Sequence, residues 1–149
     1  MADILPFPEL HSAMPASMLA DSAAAPRVLV IDDEPAIRGV VCEFFRDCGL
    51  DPVAAGNADD AVQLMDGGLK PDLVFSDVRM PGSRDGYGLA RWVMENRPGL
   101  PVILVTGDLG KANEAPWLRN VETFAKPYDF DMAVKKIRDT IARRRQKAG

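Results

Sequence analysis

From residue 27 onward the chain alternates between short apolar runs and longer stretches whose apolar residues return every three or four positions. RVLVI (27–31) and PDLVFSD (71–77) are short strand candidates and PVILVTGD (101–108) is a run of nearly continuous aliphatics; the lack of polar alternation is the pattern of strands buried on both faces. PVAA (52–55) and ETFAKPY (122–128) are weaker strand candidates. The segments between them are amphipathic. EPAIRGVVCEFFRDCG puts Ile37, Val40, Val41, Phe44, Phe45 and Cys48 on one helical face, with Pro35 in the first turn and Gly49 as the stop. ADDAVQLMDGG follows Asn57, whose side-chain oxygen suits a helix cap. GLARWVMENRPG sets Leu89, Trp92 and Val93 on one side, and DFDMAVKKIRDTIARRRQ repeats Phe130, Val134, Ile137 and Ile141 at helical spacing. Strands separated by helices in this way predict an α/β fold: a doubly wound, five-stranded parallel sheet with helices on both faces.

Residues 1–26 break the pattern. They hold four of the twelve prolines and much Ala and Ser with no sustained period, so a flexible N-terminal extension is expected there. His11, the only histidine, sits in it and is read as inert. Over the whole chain, 47% hydrophobic and 27% charged residues in 149 suit one domain with a sizeable core. A net charge of −4 and a pI near 5.0 give no overall reason to bind nucleic acid or a membrane surface. The basic run RRRQK near the C-terminus reads as a solvated helix end. Cys42 and Cys48 read as free thiols. With no basic N-terminal region and no apolar run approaching the ~20 residues of a bilayer span, a cytoplasmic location is expected, with neither DNA nor membrane as a partner.

In doubly wound sheets ligands collect at the carboxyl ends of the strands. That is where the unusual polar residues fall: Asp32 and Asp33 after the first strand, Asp77 after the third, Thr106 after the fourth and Lys126 after the fifth. Three carboxylates brought together repel, and the usual resolutions are a raised pKa on one of them or a bound cation. Carboxylates, a carbonyl and waters suit Mg2+, whereas the absence of His or Cys from the set disfavours zinc. A lysine and a hydroxyl at the same edge add what a phosphoryl group needs. There is no GxxxxGK[ST] nucleotide cradle, so the phosphoryl group is expected from elsewhere, with a carboxylate as its acceptor.

The motifs VIDDEP, VFSDVRMPG, ILVTG and FAKPY together resemble the receiver domain of two-component response regulators, over residues 27–145 and leaving 146–149 as a tail. The resemblance implies a flavodoxin-like strand order 2-1-3-4-5. It implies that Asp77 accepts a phosphoryl group from a histidine kinase or histidine phosphotransfer protein. Mg2+ would be held by Asp32, Asp33, Asp77 and the main-chain carbonyl of Arg79, and the phosphoryl oxygens by Thr106 and Lys126. Such a domain assists its own phosphorylation and dephosphorylation and is not an enzyme acting on other substrates.

The chain also departs from the family pattern. Thr123 stands where an aromatic usually reports phosphorylation, and Phe124 fills an ordinarily aliphatic slot. The segment between Thr106 and Lys126 is about two residues short and contains Gly110 and Pro116. Interior proline costs ~3 kcal/mol or more, so a short, distorted or mobile fourth helix is expected. Trp117 is read as core or as part of a partner surface. The loop MPGSRDGYG is one residue longer than the common form. Arg79 and Asp108 flank the path of water to the phosphoryl group and are expected to modulate its lifetime. Because the chain stops at Gly149 after one last helix, the expectation is a stand-alone receiver acting by contact with an unidentified downstream protein. A terminal receiver of a hybrid histidine kinase and a phosphorylation-independent binding module are the alternatives. A phosphatase of the haloacid dehalogenase type is disfavoured, because Val78 and Arg79 follow Asp77 where that chemistry wants a second acid.

Overall fold

The computed structural model describes residues 25–108 and 116–148. The expected extension, His11 and Gly110 fall outside the described residues. Five parallel strands, β1 (Arg27–Ile31), β2 (Asp51–Ala55), β3 (Leu73–Asp77), β4 (Val102–Thr106) and β5 (Glu122–Ala125), form one sheet in the order β2-β1-β3-β4-β5. Helices α1 (Pro35–Asp47), α2 (Ala58–Asp66), α3 (Gly86–Asn96) and α4 (Phe130–Ala148) cover it. Side chains of α2 and α3 pack on one face with Leu29, Val74 and Leu104, and those of α1 and α4 on the other with Val30, Phe75 and Val105. β3 and β4 are buried along their whole length, which is why they read without polar alternation.

The local chemistry accounts for the boundaries. Pro35 occupies the first turn of α1, and the N-cap is Glu34. Asn57 Oδ1 accepts from the Asp60 N–H at 2.8 Å and starts α2. Asp85 Oδ1 accepts from the Gly88 N–H at 2.9 Å and starts α3. Between β4 and β5 the described residues form a single 3-10 turn, Pro116–Asn120, which opens on the proline. Proline lacks an N–H to donate and is tolerated at a first turn; the expected short, distorted or mobile fourth helix falls largely on residues 109–115, outside the described residues. Trp117 packs against the core while the Arg91 guanidinium lies 5.6 Å from its ring centroid.

Two expectations need correction. Ile37 and Val40 belong to the predicted apolar face of α1, but they are 42% and 56% exposed; Val41, Cys42 and Phe45 make the contact with the sheet. Val40 is turned about 100° from Val41, and Ile37 lies a full turn nearer the helix start, at the rim of a cavity. The last helix runs through Ala148, so of the expected 146–149 tail only Gly149 lies beyond it.

Candidate functional site

Parallel pairing aligns the strand ends. Ile31 is opposite Ser76, Asp77 opposite Val105, and Thr106 opposite Ala125, so the residues that end β3 and β4 and those that follow β1 and β5 meet at one edge. One carboxylate oxygen each from Asp32, Asp33 and Asp77 lie within 4.8 Å of one another. Asp32 and Asp77 are buried and Asp33 is half-buried. Lys126 Nζ lies 2.6 Å from Asp77 Oδ1. Thr106 is buried, and its Oγ1 accepts from the Asp108 N–H at 3.0 Å. The Lys126 N–H donates to the Thr106 carbonyl at 2.8 Å, which carries the lysine to the site.

Burial pushes the Asp77 carboxyl above its ordinary pKa; hydrogen bonding and attraction from Lys126 oppose this, while repulsion from Asp32 and Asp33 adds to it. Here the acids remain crowded although one lysine is already paired with Asp77. Three hard oxygen donors, two of them buried, fit a small divalent cation such as Mg2+. Among the described residues no His or Cys joins the group.

The site residues expected from sequence are therefore brought to one edge, with one exception. Thr123 lies in β5 opposite Leu104. On the other side of that strand, Phe124 stacks on Tyr128 with ring centroids 6.3 Å apart. Arg79 and Asp108 line a cleft of about 570 Å3 with Asp77, Asp85, Thr106 and Lys126. A second cavity, of about 450 Å3, opens on the α1 side of the Asp77–Lys126 pair and is walled by Ile31, Phe75, Tyr128 and Phe130. Tyr128 has its pKa raised by burial and by the nearby Asp32 and Asp77.

Several supporting residues were not evident from sequence. Arg38 NH1 donates to the Asp32 carbonyl at 2.7 Å, and Asp32 Oδ1 accepts from the Glu34 N–H at 2.9 Å. Together they set the turn that carries the acidic pair. Gly86 presses on the backbone of the acceptor: its N–H donates to the Val78 carbonyl at 2.7 Å, and a Cβ there would lie 2.3 Å from the Asp77 carbonyl oxygen. The Asp85-Gly86 dipeptide at a helix start was the available signal, but not its target.

A family model described as the response regulator receiver domain matches residues 28–138. The DNA-binding transcriptional regulator NtrC of Escherichia coli is 32% identical over 117 residues, covering 77% of this chain and 24% of that protein. The C4-dicarboxylate transport transcriptional regulatory protein DctD of Rhizobium meliloti is 34% identical over 128 residues, covering 83% and 27%. The chain thus spans about a quarter of the length of these curated relatives. Among solved structures, the response regulator TrrA of Thermotoga maritima, in complex with Mg2+-BeF, is similar at TM-score 0.70 and 28% identity, over 77% of this chain and 98% of that one. A receiver domain protein of Methanospirillum hungatei shares the fold at TM-score 0.75 and 21% identity, over 83% and 98%.

Proposed function

Since the chain belongs to the response regulator receiver domain family, we propose that it is a phosphoacceptor in a two-component or phosphorelay pathway, taking a phosphoryl group on Asp77 from a phosphohistidine. The observation that carries this reading is the convergence on Asp77 of two further carboxylates, one ammonium 2.6 Å away, and a buried threonine hydroxyl. Asp32, Asp33, Asp77 and the Arg79 main-chain carbonyl would hold Mg2+. When bound, the cation neutralises charge on the phosphoryl oxygens and lowers the repulsion among the acids.

The chain's own groups do the rest. An Asp77 carboxylate oxygen forms the new O–P bond as the P–N bond to the donor imidazole breaks, with the electron pair leaving on that nitrogen. Lys126, already held at Asp77, shifts its ammonium onto the incoming phosphoryl oxygens, and the Thr106 hydroxyl donates to another. Arg38 and the Glu34 N–H keep Asp32 in place during the transfer. Arg79 and Asp108, on the wall of the cleft, restrict the approach of water to the acyl phosphate. Replacing either by alanine is expected to change the dephosphorylation rate.

The donor is a histidine kinase or histidine phosphotransfer protein, and the output is contact with a downstream protein. The mild acidity of the chain favours protein partners over DNA. Incubation with acetyl phosphate and Mg2+ followed by intact mass measurement tests the reading. Wild type should gain one phosphoryl group and Asp77→Asn none.

A further inference from the structure

The loop between β3 and α3 would carry the metal-binding carbonyl of Arg79, and it is fastened unevenly. Its base is tight. Val78 is buried, its N–H donates to the Val105 carbonyl at 3.0 Å, and its carbonyl accepts from Gly86. Met80 is buried among the side chains of the α2–α3 face. Arg79, between them, is exposed, and the chain then bows outward through Pro81, Gly82 and Ser83, all exposed. Gly82 turns the arch with φ +108°, a conformation that favours glycine. An arch lengthened by one residue has more ways to sit, which raises the entropy of any state in which Arg79 faces elsewhere.

A single carboxylate restrains the arch. Asp59, in the first turn of α2, accepts from Ser83 Oγ at 2.8 Å on Oδ2 and from Arg84 NH1 at 3.0 Å on Oδ1. A Cβ on Gly82 would lie 3.7 Å from the same Oδ2, so the bend passes close to this side chain. The positive end of α2 attracts the carboxylate to its place. Asp59 and Arg84 are 25 residues apart in sequence, and their pair ties the start of α2 to the loop before α3.

We propose that Asp59 is a positioning residue for the phosphoacceptor site: by gripping Ser83 and Arg84 it fixes the β3–α3 loop so that the Arg79 carbonyl is presented to the cation beside Asp77. The inference rests on the phosphoacceptor reading. The Asp59–Arg84 pair is part-exposed, and pairs of that kind are worth little as stability. Its effect is therefore expected on the geometry of a cation ligand more than on folding.

The test measures Mg2+ affinity by calorimetry and phosphorylation by acetyl phosphate across a Mg2+ series, on the full chain. Asp59→Ala should raise the Mg2+ dissociation constant about three- to tenfold, while the rate at saturating Mg2+ stays within about twofold of wild type. Arg84→Ala should give part of the same loss, and Asp59→Ala combined with Arg84→Ala should lose no more than Asp59→Ala alone, because both cut one link. Asp59→Glu, which keeps the charge, should recover part of the affinity. A lower melting temperature with unchanged Mg2+ affinity in Asp59→Ala would overturn the inference, and so would fully additive losses in the double variant. Failure of wild type to bind Mg2+ or to gain a phosphoryl group would instead defeat the phosphoacceptor reading, and this inference with it.

Discussion

Gly86→Ala offers a sharp test of how the fold holds the acceptor. The added Cβ would stand 2.3 Å from the Asp77 carbonyl oxygen and 2.6 Å from the Val78 Cα, about 1 Å short of the 3.4 Å at which ordinary contact begins. Both obstacles are backbone, so no side chain can swing aside. Asp77 is paired to β4, and Val78 is tied to Val105 on one side and to Gly86 on the other. Relief requires moving the start of α3 or the end of β3. Overpacking of this kind costs about 1–3 kcal/mol, and rigid surroundings place Gly86→Ala at the upper end. A shift near 1 Å at a reacting carboxylate lowers a rate by something on the order of a hundredfold. Urea denaturation gives the stability, and mass spectrometry of the acetyl phosphate reaction gives the rate. Gly39→Ala is the control: nothing lies within 4 Å of its Cβ in the middle of α1, so helix propensity alone should stabilise by about 1 kcal/mol with the rate unchanged. Gly86→Ala with wild-type stability and wild-type rate would refute the reasoning.

Three more outcomes follow from the same geometry. Mg2+ at about one hundred times its dissociation constant should stabilise the protein by about 2.7 kcal/mol, roughly 10 °C in melting temperature; a calorimetric scan with and without the ion measures it, and Asp33→Asn should shrink it. Asp77→Asn should stabilise the Mg2+-free protein at neutral pH. The folded Asp77 holds its proton more tightly than the unfolded chain does, so wild-type stability is present below the unfolded pKa and is lost as pH rises through the folded value. The advantage of Asn should therefore shrink as the pH falls through that range, and urea midpoints across pH report it. Phe45→Ala removes a fully buried ring set edge-on to Phe75 at 5.3 Å and should cost about 3–5 kcal/mol by urea denaturation.

β3 and β4 were the most legible strands because they are buried along their whole length and so carry no polar alternation, while β2 and β5, at the sheet edges and part-exposed, read more weakly. The site was legible because parallel pairing carries every strand's carboxyl end to one edge, which turned five residues spread from Asp32 to Lys126 into one cluster. Helical period, by contrast, tells which side of a helix is apolar and not how far the sheet extends beneath it. Ile37 is exposed for that reason, since the start of α1 overhangs the cavity beside the site, while Val40 is turned about 100° from Val41. The grip of Asp59 on Ser83 and Arg84, the hold of Arg38 on the Asp32 carbonyl, and the closeness of Gly86 to Asp77 were not legible. Each ties a helix residue to a loop or strand end through a single side chain or a close backbone approach, and no period or spacing records such a contact. The replacement of the usual aromatic by Thr123 was visible at once. Its structural counterpart, the Phe75, Phe124, Tyr128 and Phe130 cluster behind Lys126, required the folded chain.

The central claim is that the carboxylate edge exists to receive a phosphoryl group on Asp77. Peptide mapping of the protein after reaction with acetyl phosphate and Mg2+, with the acyl phosphate trapped by reduction to homoserine, tests it directly. The account predicts one modified residue, Asp77, with no modification when Mg2+ is chelated. Unmodified wild-type protein, or a phosphoryl group found at another residue, would contradict it.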